Sequence, residues 1–237
     1  DLCEYLISHS ALRMDWALIR SFRDHLNVFQ LGGYIDQQVD PIDLFTDVIS
    51  KILPATLAIS SRGVYAAIWP VNATASDVAF TLFAGESFAH ESGPETDYAA
   101  IYNQITIEYK WSAETQNFTE SRTYGADVSP YAAWSAEHYG LKVAPAIRAQ
   151  FVTDDEIADL IGLTYLKLAA GRRLDIVYAA DPTIYADGGT TVLYLGAPVQ
   201  ITDPDFGFDS RLGVISQIQR QNAAMLVTVS LLEDPFL

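Results

Sequence analysis

The fold is decided by residues 153–178, which read TDDEIADLIGLTYLKLAAGRRLDIVY. Thr153 is the predicted N-cap of a helix, because Glu156 follows three residues later, the spacing of a capping box. Apolar residues then recur at helical spacing, and Gly171 is placed to end the helix. The pattern therefore predicts a helix at about residues 153–170, with a strand directly after it.

Strands dominate the prediction on both sides of this helix, because apolar residues alternate there between turn residues. After the helix, the predicted strands cover residues 172–178, 192–204, 213–219 and 225–232. Before it, they cover residues 78–83, 100–111 and 118–124. A polar loop is expected at 84–96 and a helix at 129–139, whereas residues 144–151 give no clear pattern.

The first third of the chain mixes helices and strands. A helix is predicted at 15–26, a strand at 28–35 and a helix at 40–52, and a tight hairpin joins strands at 56–60 and 64–69. We therefore expect an α+β protein with two domains. Residues 1–75 would form a small helix-strand domain, incomplete at its N-terminus, and residues 76–237 a β-rich, barrel-like domain that carries one or two helices.

Composition limits the function classes. Half of the 237 residues are hydrophobic and 19% are charged, below the roughly 25% of an average soluble domain. The 13 Tyr and 4 Trp fit either a protein interface or an ordinary β-rich core. The net charge of −16 argues against nucleic-acid binding through counterion release. It fits a passage for DNA, but plain solubility and a salt-loving host are the more common causes of such a charge.

Cysteine content and hydropathy exclude other features. Cys3 is the single cysteine, so neither an intramolecular disulfide nor a cysteine-based zinc site can form. The chain has no apolar run of about 18 residues, so no membrane-spanning helix is expected. It begins at Asp1 without a signal-peptide pattern, and we expect it to be a piece of a longer polypeptide.

Metal-binding patterns are weak. The four histidines, His9, His25, His90 and His138, show no paired metal-ligand spacing. Residues 203–209 read DPDFGFD, an acidic loop that does not have the EF-hand spacing of ligands. We expect a turn with solvated aspartates there, and calcium is the lesser alternative.

Catalytic and phosphate-binding patterns are also weak. Residues 85–89 read GESFA and resemble a nucleophile elbow, with Ser87 as nucleophile and His138 as its partner, but the last glycine is missing. Cys3 lies on an apolar helix end, and the glycine pairs at 32–33 and 188–189 do not fit a phosphate loop. The sequence therefore predicts no catalytic, cofactor-binding or metal-binding residues.

Several short phrases resemble a known family. They lie at residues 29–35, 62–65, 122–125, 132–138, 155–170, 172–174, 195–207, 211–215 and 226–232. Residues 195–207 read LGAPVQITDPDFG, similar to the family phrase L-G-D-x-V-x-V-T-D-P-x-x-G, with Ala197 in place of the usual acidic or polar residue. By these phrases the chain resembles the tail-hub proteins of tailed bacteriophages and phage-derived particles, which include baseplate hub and tail-tip proteins.

The resemblance implies a structural role without enzymatic activity or a cofactor. Such proteins form rings, commonly trimers, that join the tail tube to the tip, contact tail-tip or fibre proteins and line the path of DNA exit. The location would be the virion or a prophage-derived particle, after synthesis in the bacterial cytoplasm. Two alternatives stay open: an enzyme that degrades cell wall or polysaccharide, and a carbohydrate-binding β-module with exposed Trp and Tyr.

Overall fold

The computed structural model describes residues 20, 28–32, 41–44, 49–53, 55–60, 63–68, 78–85, 88–96, 98–180, 193–221 and 224–232. They form two compact units, and each unit combines two separate parts of the chain. Unit one holds the described residues up to Ile68 together with Ile101–Ala170, and unit two holds those of Trp69–Ala100 and Gly171–Leu237. The contiguous division into residues 1–75 and 76–237 stays a prediction.

Unit one contains two small sheets and, among its described residues, four helical segments besides the single helical residue Arg20. The helices are α1 (Pro41–Leu44), α2 (Ser50–Ile52), α3 (Pro130–Tyr139) and α4 (Asp155–Ala169). The strands are β1 (Ala55–Ser60), β2 (Gly63–Ile68), β5 (Ile105–Ser112), β6 (Asn117–Tyr124) and β7 (Ile147–Arg148). The pair β1–β2 is antiparallel and confirms the predicted hairpin, while β5 lies between antiparallel β6 and parallel β7.

The centre of unit one is β5, whose alternation places one face in the core. Ile105, Ile107 and Tyr109 are almost fully buried, as expected for every second residue of a strand. The predicted pairing of this strand with β6 is confirmed. The predicted start at residue 100 is wrong, because a 3₁₀ turn occupies Tyr98–Ala100 and the strand begins at Ile105.

The fold-deciding helix α4 forms as predicted, although its first residue differs. The N-cap is Asp154, whose carboxylate accepts a hydrogen bond from the backbone N–H of Glu156, so the predicted Thr153 cap is wrong. The helix buries a face that includes Gly162 and ends at Ala169, two residues before Gly171. Helix α3 is also confirmed, with the Ser129 side chain accepting from Ala132 N and Pro130 in the first turn.

Unit two is one six-stranded sheet. Its strands are β3 (Phe80–Phe83), β4 (Phe88–Thr96), β8 (Arg173–Ala180), β9 (Pro198–Asp203), β10 (Phe208–Gln221) and β11 (Ala224–Leu232). Their order is β3-β9-β10-β11-β8-β4, and every pair is antiparallel except β3 with β9. A bridge between Ala84 and Phe88 joins the ends of the two edge strands, so the sheet curls into a half-barrel. The expected α+β class with a barrel-like β domain is confirmed.

The curl encloses one apolar core, built from alternate residues of the strands. Ile176, Val199, Ile201, Val227 and Val229 are fully buried in it. Phe80 and Phe88, from the two edge strands, pack edge to face with their ring centres 5.7 Å apart. The core thus reaches across the half-barrel as well as along the sheet.

Two local predictions are wrong. Residues 84–96, expected as a loop, contain β4, whose pairing with β8 shifts register on both sides of Ser92. A bulged strand at a sheet edge tolerates Gly93-Pro94, because no further strand needs its missing N–H. Residues 28–32 of the predicted strand 28–35 are not in a strand.

Other predicted elements are shorter in the structure or lie outside the residues that it describes. The predicted strand 192–204 is shorter, because β9 begins only at Pro198. Most of the predicted helix 15–26, residues 33–35 and the middle of the predicted helix 40–52 lie outside the described residues. Across the described residues, no helix combines the length and apolar character that a membrane span requires.

Candidate functional site

A histidine of the half-barrel lies between a buried carboxylate and an exposed one. His90 Nε2 is 2.5 Å from Asp203 Oδ2, and His90 Nδ1 is 3.6 Å from Asp205 Oδ2. The Tyr178 hydroxyl donates to the same Asp203 oxygen at 2.8 Å, and Asp205 N donates to Asp203 Oδ1 at 3.1 Å. We call His90, Tyr178, Asp203 and Asp205 the His90 cluster.

The strand order shows which parts of the half-barrel the His90 cluster connects. His90 lies on β4 at one edge of the sheet, whereas Asp203 ends β9, next to the other edge. Their side chains can meet only across the inside of the curl. The Phe206 ring, 4.7 Å from the His90 ring between centres, packs at the same place. The cluster therefore connects opposite sides of the half-barrel.

Burial makes the charge of Asp203 costly, and its partners offset that cost. Asp203 is 0% exposed. Burial alone would raise the pKa of its carboxyl, but hydrogen bonds from His90 and Tyr178 outweigh burial, so the pKa is lowered. The pKa of Tyr178 is raised, first by burial and then by its bond to Asp203. Asp203 is thus held as a carboxylate inside the protein.

The His90 cluster fits a hydrogen-bonded clasp better than a metal site. His90, Asp203 and Asp205 do bring three ligand atoms within 4.8 Å of one another. However, the 2.5 Å between His90 Nε2 and Asp203 Oδ2 is a hydrogen-bond distance. Metal–ligand bonds of about 2 Å on each side need a wider gap, and each ring nitrogen faces a different carboxylate.

The acidic loop at 203–209 is a turn, as predicted, but its aspartates are not all solvated. Asp203 caps a 3₁₀ turn at Pro204–Phe206, and Gly207 has a φ of 69°, in the left-handed region that glycine tolerates. Asp205 and Asp209 are exposed, whereas the expectation of a solvated Asp203 is wrong. Period-two alternation puts Asp203 on the same face as Val199 and Ile201, a signal from which its burial could have been predicted.

The candidate catalytic residues from the sequence do not form a catalytic site within the described residues. Ser87 lies outside them, and the strand β4 begins at Phe88, where a nucleophile elbow requires a helix. His138 belongs to unit one, stacked on Trp134 with 4.5 Å between ring centres and its Nδ1 2.8 Å from Trp134 O. Cys3, His9 and His25 also lie outside the described residues.

A second polar cluster lies on the surface of unit one, between α4 and the β5–β6 pair. Arg122 contacts Asp159 at 2.6 Å and Asp155 at 3.1 Å, and Lys110 contacts Asp155 at 2.6 Å. The hydroxyl of Tyr124 donates to Asp159 Oδ1 at 2.8 Å. We call Lys110, Arg122, Tyr124, Asp155 and Asp159 the α4 network.

The α4 network shifts the pKa values of its carboxyls in one direction. The hydrogen bond from Arg122 is the main cause that lowers the pKa of Asp159, and the hydrogen bond from Lys110 is the main cause for Asp155. Every carboxylate has a cation beside it, so the network neutralises charge instead of presenting a proton donor or acceptor to a substrate.

Sheet edges are the third feature. Within the described residues, β3 forms a ladder only with β9, β6 only with β5, and β4 only with β8 apart from the single bridge of Phe88 to Ala84. At the end of β3, the side chain of Phe83 is 47% exposed. An unpaired strand edge beside an exposed aromatic ring is a ready surface for another chain.

The similarity of this chain to known proteins is found among solved structures. No family model and no curated protein matches the chain. Among solved structures, it is similar to a chain in the structure of the virion of a native gene transfer agent particle. The identity is 20% and the TM-score 0.42, over 66% of this chain and 32% of that chain. It is also similar to the 43 kDa tail protein of prophage MuSo2 from Shewanella oneidensis, with 12% identity and a TM-score of 0.47 over 95% of this chain and 70% of that one.

A third match is the prophage tail protein gp18 from Listeria monocytogenes EGD-e, with 14% identity and a TM-score of 0.37 over 75% of this chain and 48% of that chain. The chain thus spans about a third of the gene transfer agent chain and about half of the Listeria protein. Two of the three structures are named as tail proteins, which is the class that the sequence resembles. All three TM-scores are below 0.5.

Proposed function

We propose that this chain is a structural component of the tail of a phage or phage-like particle. As a hub or tip protein, it joins the tail tube to the tip and lines the path by which DNA leaves. In the intact protein it associates with further copies into a ring, a trimer, and contacts the tail tube and tail-tip or fibre proteins. It is made in the bacterial cytoplasm and acts without turnover, as part of the virion.

The observation that carries the proposal is the open edge of the half-barrel at β3. A ring needs a heterologous interface, in which one surface of a protomer meets a different surface of the next. The edges β3 and β4 supply two such unlike surfaces, since in the described residues each forms a ladder with one strand only and the single Ala84–Phe88 bridge joins no more than their ends. Phe83, 47% exposed at the β3 edge, supplies apolar contact area.

The local structure of residues 195–207, which resemble the tail-hub family, supports the same proposal. Residues 195–207 form a turn at Gly196, the strand β9 and the 3₁₀ turn at Pro204–Phe206, which leads into β10. The resemblance therefore rests on residues that shape the half-barrel wall.

The net charge is compatible with a passage for DNA. The chain has 14 Lys and Arg against 30 Asp and Glu. A surface with this balance repels phosphate, so DNA would pass along it without being held.

A single surface substitution tests the assembly. Light scattering on the chain at rising concentration is expected to show a species of three times 26.1 kDa. Phe83→Lys places a charge at the β3 edge and is expected to leave the chain monomeric, because a buried unpaired charge opposes association. The control is Leu141→Lys, at a side chain 70% exposed in unit one, which should assemble like the unchanged chain.

Two results of these experiments would contradict the proposal or part of it. If the unchanged chain is monomeric at every concentration and also fails to bind purified tail tubes, the proposed role is wrong. If Phe83→Lys and Leu141→Lys both assemble normally, the ring is not formed through β3.

A further inference from the structure

An open groove of about 700 Å³ lies within unit one. Residues of α2, the adjoining ends of β5 and β6, the segment around β7 and one side chain of α4 form its walls. Its volume falls within the roughly 300–1,000 Å³ of typical ligand sites. The groove is therefore large enough for a ligand of two or three rings.

Aromatic side chains form much of the lining. Trp111 and Phe118 are direct cross-strand partners on β5 and β6, and their rings meet edge to face with centres 4.9 Å apart. Tyr165 of α4 lines the groove as well. All three are only partly buried, so aromatic surface is accessible at positions that the strand register and the helix fix.

Polar groups in the same groove have unused hydrogen-bonding capacity. In the part of the chain that the structure describes, the Trp111 indole N–H, the Tyr165 hydroxyl and the Gln150 amide make no hydrogen bond to protein. Arg148 uses its Nε–H for Glu108, at 3.2 Å, which leaves the terminal N–H groups of the guanidinium to solvent. Donors and acceptors therefore stand beside the aromatic rings.

We propose that this groove binds a short oligosaccharide. A pyranose ring has an apolar face of C–H groups that packs on the electron-rich face of an aromatic ring, and hydroxyls around its rim that exchange hydrogen bonds with planar polar groups. Trp111 and Tyr165 supply the first kind of contact, and Gln150 and Arg148 the second. An apolar ligand would leave these polar groups unsatisfied, and Arg148, already beside Glu108, is a poor anchor for an acidic peptide.

Binding occurs without cleavage. Glycoside hydrolysis requires two carboxyl groups at the scissile bond, and among the described residues none that lines the groove is Asp, Glu or His. The inference goes beyond the proposed tail role, because it assigns a ligand class to unit one and does not depend on assembly through β3.

A glycan array followed by calorimetry tests the groove. The chain is applied to an array of bacterial-surface and storage oligosaccharides of two to four sugar rings, and the strongest binder is titrated by isothermal calorimetry. Gln150→Ala and Tyr165→Phe each remove one hydrogen bond and are expected to weaken binding about fivefold. Trp111→Phe reduces the stacking surface and removes the N–H, so a loss of about tenfold or more is expected.

The matched control is Gln219→Ala, which removes an exposed glutamine on β10 of unit two and should leave the affinity unchanged. Circular dichroism verifies folding, and Gln150→Ala, at an exposed side chain, carries the test if Trp111→Phe does not fold. No bound glycan on an array that a known lectin reads correctly, or equal affinity in all three groove variants, would overturn the inference. Either result leaves the light-scattering test of Phe83 unaffected, so failure of the two proposals can be told apart.

Discussion

The His90 cluster and the α4 network are built from similar groups but lie in opposite environments. Each joins carboxylates to a tyrosine hydroxyl and a basic side chain. In the first, Asp203 is 0% exposed inside the half-barrel. In the second, Arg122 and Asp159 are 41% and 43% exposed on the surface of unit one.

This difference in exposure decides what each cluster contributes. Water and salt screen an exposed ion pair, so its net contribution to stability is small. A buried carboxylate has lost its hydration, so every partner must be present for the charge to be tolerated. We therefore expect unit two to depend on the His90 cluster, and unit one to depend on packing instead of on its more numerous ion pairs.

The largest effect is expected from Asp203→Ala. It leaves the buried Tyr178 hydroxyl without its acceptor and removes the cap on Asp205 N–H, so the free energy of unfolding should fall by about 2–4 kcal/mol. Urea denaturation followed by circular dichroism measures it. Asp205→Ala, at a side chain that is 79% exposed, is the control and should cost less than about 0.5 kcal/mol. Equal losses in the two variants would remove the distinction between buried and exposed carboxylates.

The next effect concerns packing in unit one. A Cβ at Gly162 of α4 would lie 2.5 Å from the ring of Tyr124, so Gly162→Ala forces the helix and β6 apart. We expect a loss of about 1–3 kcal/mol, measured by the same denaturation. Leu163→Ala, at the adjacent exposed position, should cost clearly less. A neutral Gly162→Ala would show that unit one does not depend on this close approach.

A smaller effect is expected in acid. Because the folded state lowers the pKa of Asp203, the stabilisation from its carboxylate is complete above the ordinary aspartate pKa of about 3.9 and is lost as pH falls through the lowered value. Protonation is milder than deletion, since a neutral carboxyl still accepts from Tyr178. In Asp203→Asn, the unfolding free energy should fall less steeply with decreasing pH below about 4 than in the unchanged chain. An identical slope in both proteins would contradict the assignment.

The smallest effect is expected from Arg122→Gln. It removes the cation that contacts Asp155 and Asp159, yet the loss of unfolding free energy should be far smaller than for Asp203→Ala, because water and salt screen these well-exposed groups. The difference from the unchanged chain should shrink further in 1 M salt, where the Debye length is about 3 Å. A loss as large as that of Asp203→Ala would mean that exposure is not what separates the two clusters.

Local patterns were sufficient to predict most of the regular structure in the described residues. Helix α4 and the strands β5, β8, β10 and β11 follow from apolar periodicity, which burial imposes directly on sequence. The N-cap of α4 was misassigned by one residue, because Thr153 and Asp154 are both good caps and only the backbone geometry at Asp154 decides between them.

The missed strand β4 and the missed contact of His90 with Asp203 share a physical cause. In both, contacts between residues distant in sequence outweighed the local sequence pattern. Residues 88–96 are polar and contain Gly93-Pro94, yet they form a strand because β8 offers a partner and the edge tolerates proline. The contact of His90 with Asp203 joins residues 113 positions apart, and no local spacing reports such a pair. The alternation of Val199, Ile201 and Asp203 along β9 indicated only that one residue of this pair, Asp203, is buried.

The central claim, that this chain is built into a phage tail, is tested most directly by locating it in the assembled particle. Cryo-electron microscopy of purified particles, with an affinity tag on the chain detected by gold-labelled antibody, gives its position and copy number. The account predicts label at the tail end far from the capsid and a ring of three half-barrels around the DNA path. Label on the capsid or on the cell envelope alone, or intact tails in particles from which the chain is deleted, would contradict it.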